Sequence, residues 1–229
     1  GYAEPFNQLD HGLHKIKFDQ YRGFLFASLS DDVPTLEEHL GETMPLLDLV
    51  WDQGPNGVEA IPGSSSYTYD ANWKMQVENC IDGYHLTSCH PSFMNIVSRR
   101  KAGESDNKQV KSIDFKMMME IDGGGYTFDR GHALGFGVNP APQERGLYLS
   151  KDEVEARCGE TKLKWMLSTR NLTIYPNVQF AENASLQMRV IRPLSPGKTE
   201  MTIVCLGVIG ESDAARAIRI RQYEDFFNT

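Results

Sequence analysis

Two of the six histidines, His85 and His90, lie five residues apart and follow an amide and an acid, Asn79 and Asp82. Imidazole nitrogens are general ligands for iron, zinc and copper, so their spacing decides whether they can share an ion. On a continuous helix five residues turn through about 140°, and both rings could not face one metal. Pro91 removes that obstacle, because the residue before a proline is pushed out of the α region. The helix is therefore expected to end between Leu86 and Cys89, with His90 turning back toward His85.

The element that must position these groups starts near Asn72. Trp73, Val77, Ile81 and Tyr84 recur at helical spacing and form one apolar face. Glu78, Asp82 and His85 fall on a second face, too polar for the buried side of an ordinary core helix. Four cysteines (Cys80, Cys89, Cys158, Cys205) form no Cys-x-x-Cys pair. A chain of this size needs no disulfide staples, so a reduced, cytoplasmic setting is expected. Cys80 and Cys89 flank the histidines as packing residues.

Around this stretch the periodicities predict an α+β fold. Tyr21 to Leu29 reads as a buried strand. Thr35 and Glu38 make a capping box that opens a short helix. Asp52 to Gly63 reads as a loop, and Ser64 to Asp70 as a strand leading into the long helix. Ser98 to Lys111 is a polar connection. Asp122 to Gly125 reads as a hairpin turn between strands 113–121 and 126–136, with His132 on the second. Lys151 to Leu167 reads as helix broken at Gly159. Strands follow at 172–178, 185–192 and 199–208, the last two joined by a tight turn at 194–198. A final helix starts at Ser212-Asp213 with Ile220, Tyr223 and Phe227 along its apolar stripe, and Arg216 and Arg219 on other faces. An antiparallel sheet wrapped on helices leaves a cavity where small molecules bind.

Composition narrows the function. With 229 residues, 40% hydrophobic and 24% charged, the chain supports one well-buried domain. A formal charge of −8 argues against nucleic acid or an anionic membrane as partner. No apolar run has the length of a membrane span and no signal-peptide pattern opens the chain. The first residue is Gly1, and an excerpt of a longer polypeptide is expected.

Asn72-Trp73-Lys74 followed by Glu78-Asn79-x-x-Asp82-x-Tyr84-His85-x4-His90 resembles the mononuclear-iron signature of Rieske-type aromatic-ring-hydroxylating oxygenases, α (large) subunit. Tyr21-Arg22-Gly23-Phe24-Leu25-Phe26 and Arg170-Asn171-Leu172-Thr173-Ile174-Tyr175-Pro176-Asn177 are similar to other segments of that family. The flavour is that of benzoate, anthranilate and halobenzoate dioxygenases. The resemblance implies a helix-grip, START-like catalytic domain spanning residues 1–229. It makes His85 and His90 two of the three Fe(II) ligands in a two-histidine, one-carboxylate triad. Asp82 would bridge His85 to a Rieske histidine of a neighbouring subunit, and Asn79 would sit near the metal's open face. Cys80, Leu86 and Asn171 would line the substrate pocket.

Two departures accompany it. No Cys-x-His pair occurs, so the [2Fe–2S] Rieske cluster is expected in a domain outside these residues. The third ligand, an aspartate, is expected beyond residue 229, since the surroundings of Asp225 resemble the segment before it. The implied reaction adds O2 to an aromatic acid, with electrons from NADH through a reductase or ferredoxin. The implied assembly is a homotrimer of α subunits, with or without β subunits. A non-catalytic helix-grip binding module, a monooxygenase or demethylase of the same family, and a zinc hydrolase are the competing readings. Arg189 and Arg192 are either carboxylate donors or salt-bridged surface groups.

Overall fold

The computed structural model describes residue 7 and residues 11–83, 85, 89–90, 122–139, 141–183 and 185–227, the last three of these by backbone alone. It divides into two compact units, Gly1–Gly41 and Glu42–Thr229. In the first, β1 (Lys17–Tyr21) and β2 (Phe24–Ser28) pair antiparallel, with Tyr21 opposite Phe24. The expected single buried strand over 21–29 is therefore a hairpin whose second arm occupies that range. Its two-residue turn, Arg22-Gly23, has φ of 51° and 76°, the left-handed pair that suits strand twist and that glycine adopts without strain. The short helix α1 (Leu36–Leu40) carries the predicted capping box: Thr35 Oγ1 accepts from the Glu38 N–H, and the Glu38 carboxylate accepts from the Thr35 N–H.

The second unit is a sheet with helices on both sides. Its elements are α2 (Met44–Trp51), β3 (Val58–Ala60), β4 (Ser65–Tyr69), α3 (Lys74–Ile81), β5 (Gly123–Thr127), β6 (Ala133–Gly137), α4 (Lys151–Cys158) and α5 (Glu160–Leu167). Then come β7 (Thr169–Ile174), β8 (Val178–Glu182), β9 (Leu186–Ser195), β10 (Lys198–Val208) and α6 (Asp213–Phe227). Among the described residues the sheet has eight strands: β5 through β10 follow one another as a meander, and both β3 and β4 pair with β10. All these pairings are antiparallel. No helix among the described residues is long and apolar enough to cross a membrane.

Several expectations shift here. The 52–63 loop contains β3, which pairs with Leu206–Val208. Gly123–Gly125 lie inside β5, and the turn falls instead at Asp129–Gly131, with His132 as its last residue before β6. Three consecutive glycines read as a turn by local propensity, yet cross-strand pairing to Gly135–Gly137 holds them extended. Strand 113–121 lies outside the described residues. The 172–178 strand divides around Tyr175–Asn177 into β7 and β8, because that segment turns and β8 pairs back on β7. On α6, Arg219, off the apolar stripe, is also buried, its guanidinium held by the Glu211 carboxylate at 3.0 Å.

Period-2 alternation separates the two faces of the sheet. On one side Leu134, Leu172 and Phe180 stand in register and are fully buried, and near it Leu49, Val154, Leu163 and Met166 of α2, α4 and α5 form an apolar cluster. On the other, Ile191, Met201 and Ile203 pack with Trp73, which caps the start of α3, Val77 of α3 and Tyr223 of α6. At one end of the sheet Arg170 and Glu182, both buried, form an ion pair that Gln53 also contacts.

Helix α3 is seated by the sheet with little clearance. A Cβ built on Gly135 of β6 would lie 3.3 Å from Ile81 Cα and 3.5 Å from the Cys80 carbonyl oxygen. Gln179 of β8 donates to the Gln76 carbonyl at 3.1 Å, which ties the helix backbone to the strand. At its start, Asn72 Oδ1 accepts from the Lys74 N–H while Asn72 Nδ2 donates to the Pro196 carbonyl in the β9–β10 turn.

Two substitutions test this packing. Gly135→Val forces its branched side chain against the α3 backbone and is expected to cost about 1–3 kcal/mol in urea unfolding. A midpoint equal to wild type would mean that α3 has room to move. Glu182→Ala leaves a buried guanidinium without its carboxylate and is expected to cost about 3–5 kcal/mol.

Candidate metal centre

Helix α3 ends at Ile81, earlier than expected. Asp82 is its C-terminal cap, with φ −86° and ψ 116°, and its N–H closes the last helical bond to the Glu78 carbonyl. The Asp82-Gly83 pair explains the early stop. Asp competes with the backbone for hydrogen bonds, and Gly has the largest conformational entropy to lose. The helical face predicted for Glu78, Asp82 and His85 is thus not one face of one helix. Asp82 and His85 lie on the arm that leaves it.

That arm does what the proline argument requires by another route. The Cys89 N–H donates to the His85 carbonyl at 2.7 Å, and His90 follows directly. The two Nε2 atoms end 3.2 Å apart, with ring centroids 5.1 Å apart and planes inclined at 63°. Two imidazoles bound to one ion at about 2.0–2.1 Å, roughly 90–110° apart, place their nitrogens about 2.9–3.4 Å from each other. The observed separation falls inside that window.

The neighbours define the rings' roles. Asp82 Oδ2 lies 3.3 Å from His85 Nδ1, which leaves Nε2 as the ligand atom. Asn79 Nδ2, on the last turn of α3, lies 2.9 Å from His85 Nε2. Burial, and then the neighbouring His85, lower the His90 pKa and favour the neutral imidazole that coordinates metals. Among the described residues no group of three metal-ligating side chains occurs. The donor set therefore fits a metal that takes further ligands from elsewhere. The Asp225 side chain and Leu86 lie outside the described residues.

The other predicted site residues separate cleanly. Cys80 is buried between α3 and the sheet, where desolvation pushes its thiol up to about 11 and keeps it neutral. Asn171 lies on β7 beside Gly135 of β6, on the sheet face that α3 covers. Arg192 is a surface group paired with Glu200, as the plainer reading had it. Arg189 is different: it lies on the covered face, where its Nε donates to Gln187 Oε1 at 3.1 Å. His132 is a buried core histidine whose Nδ1 accepts from the Tyr175 N–H. Missed from sequence were Gln179 and Gln187, both fully buried. In β9 the signal is Gln187 and Arg189 alternating with Leu186, Met188 and Val190, whereas in β8 Gln179 has Ala181 as the next residue on its face and carries no such signal.

Comparison with known proteins identifies the family. Residues 60–229 match the family described as the ring hydroxylating alpha subunit (catalytic domain). The 2-halobenzoate 1,2-dioxygenase large subunit of Burkholderia cepacia is 43% identical over 99% of this chain and 49% of its own length. The toluate 1,2-dioxygenase subunit alpha of Pseudomonas putida is 40% identical over 100% of this chain and 50% of its own. The chain thus spans about half the length of these curated relatives. In structure it resembles a naphthalene 1,2-dioxygenase with indole bound in the active site, at a TM-score of 0.72 and 19% identity, over 96% of this chain and 50% of that one. By fold, by sequence and by the paired imidazoles, the chain belongs to the ring-hydroxylating α-subunit catalytic-domain family.

Proposed function

We propose that this chain is the mononuclear-iron part of a terminal oxygenase that dihydroxylates an aromatic carboxylate of the benzoate, anthranilate or halobenzoate kind. The observation that carries this reading is the 3.2 Å approach of His85 Nε2 to His90 Nε2, flanked by Asp82 and Asn79. The relatives named for halobenzoate and toluate support the substrate class. Fe(II) held by His85 and His90 would supply the O2 activation that dihydroxylation of an aromatic ring requires. The electrons are expected from NADH, through a reductase or ferredoxin and a Rieske [2Fe–2S] centre of the full subunit.

The chain's own residues hold and orient. His85 and His90 are the two nitrogen ligands, and a carboxylate from beyond these residues is the third. Asp82 fixes the His85 ring through Nδ1 and faces the electron donor of a neighbouring α subunit. This role calls for an assembly such as a trimer of α subunits, with or without β subunits. Asn79 sets a polar amide beside the metal. Cys80 and Asn171, and Leu86 by resemblance, form the walls that hold the substrate ring. The four cysteines are free, which suits a reducing cytoplasm. A carrier with no chemistry would have to desolvate the imidazole pair and Asp82 without recompense.

The full subunit, loaded anaerobically with Fe(II), is expected to lose its mononuclear iron in His85→Ala and His90→Ala while keeping the visible absorption of its [2Fe–2S] centre. Equal iron in wild type and His85→Ala would sink the reading. Asp82→Ala is expected to weaken iron binding about 10–100-fold, measured by competition with a chelator. With reductase, NADH and O2, wild type converts benzoates to dihydroxylated products and the histidine variants do not.

A further inference from the structure

One row of the covered sheet face has polarity that packing leaves unanswered. Gly135, Asn171, Ala181 and Gln187 stand in register across β6, β7, β8 and β9. Residues directly opposite in antiparallel strands share a face, and neighbouring strands lie about 4.8 Å apart. Asn171 and Gln187 are thus separated by one strand, whose residue there is the small Ala181. Glycine flanks Asn171 on the other side. The row thus carries two amides, Asn171 and Gln187, on either side of the small Ala181.

The next row of the same face serves as a control. There Gln179 is fully satisfied in its role of holding α3: Nε2 donates to the Gln76 carbonyl and to Thr173 Oγ1, and Oε1 accepts from Gln76 Nε2. Gln187 is equally buried, yet only one end of its amide is used. Its Oε1 accepts from Arg189 Nε. A guanidinium only donates, so this contact fixes which end of the amide is oxygen. Nε2 is left as a fully buried donor with no partner among the described residues. Asn171 Oδ1 is likewise buried without a partner. A buried amide donor that stays unmade is costly, and an arginine that orients it adds a positive field. The unmade Gln187 donor and the Arg189 field suit an acceptor that carries negative charge, while Asn171 Oδ1, itself an acceptor, calls for a donor.

We propose that Gln187, oriented by Arg189, is the residue that receives the carboxylate of the aromatic acid substrate. This rests on the reading of the chain as an aromatic-carboxylate oxygenase. It names the group that makes the site prefer an acid over a neutral ring. Gln187 touches the substrate, and Arg189 acts through it as a positioning residue. Gln187 lies three strands from Gly135, where the end of α3 rests on the sheet.

The test compares benzoate with toluene, which has the ring but no charge, using the full subunit with its electron-transfer partners. In Gln187→Leu the KM for benzoate is expected to rise about 10–100-fold, the loss of one hydrogen bond to a charged group. Its kcat should change far less, and the preference for benzoate over toluene should fall by the same factor as KM rises. Calorimetric binding of benzoate to the anaerobic subunit should weaken equally. Gln187→Met, unbranched and close in volume, carries the same test should the leucine variant not fold. A folded variant with unchanged benzoate affinity would overturn the proposal and assign the Gln187 amide to a buried water only. Equal losses for benzoate and toluene would overturn it too, by showing a structural role. Wild type that neither binds nor oxidises a benzoate would overturn the functional reading itself, and this inference with it.

Discussion

The candidate site depends on where one helix stops. A continuous helix through residues 74–90 would hold the rings of His85 and His90 about 140° apart around its axis, and no single ion could take both. Helix α3 stops at Ile81, and Asp82-Gly83 turns the chain into an arm that closes the two Nε2 atoms to 3.2 Å. The remaining contacts of that helix serve its placement. Asn72 ties its start to the β9–β10 turn, Gln179 ties its middle to β8, and Gly135 lets its end rest directly on β6.

The sheet face under α3 carries the polar residues Thr173, Gln179, Asn171, Gln187 and Arg189, and of these Gln179 bonds the helix backbone. Apolar burial through α2, α4 and α5 supplies most of the driving force on that other side, through residues such as Val154, Met166 and Phe180. The two faces therefore divide the work. One is a close-packed core, and the other supports the helix that presents the metal-ligating arm.

Legibility followed the range of the interactions. The capping box at Thr35 and Glu38 and the break at Gly159 were readable because local chemistry decides them within four residues. The glycines at 123–125 misled for the opposite reason. Their local preference is for a turn, and pairing with β6 overrides it. The strand over 178–182 escaped although Pro176-Asn177 is itself a turn signal, because the apolar residues on either side read as one strand, and the pairing of β8 on β7 shows where the chain reverses. Arg219, off the apolar stripe by helical periodicity, is nonetheless buried, its charge met there by Glu211.

By itself the sequence determined the donors and their order: an amide, an acid and two histidines within twelve residues, spaced so that an uninterrupted helix could not use them. It also carried the pattern that marks the family. Only the tertiary structure decided that the helix ends before Asp82 and that Asp82 reaches His85 Nδ1. It also separated Arg189, on the covered face, from Arg192, on the surface. Such choices rest on contacts between residues far apart in the chain, and a linear pattern records side-chain chemistry without recording what will lie opposite it.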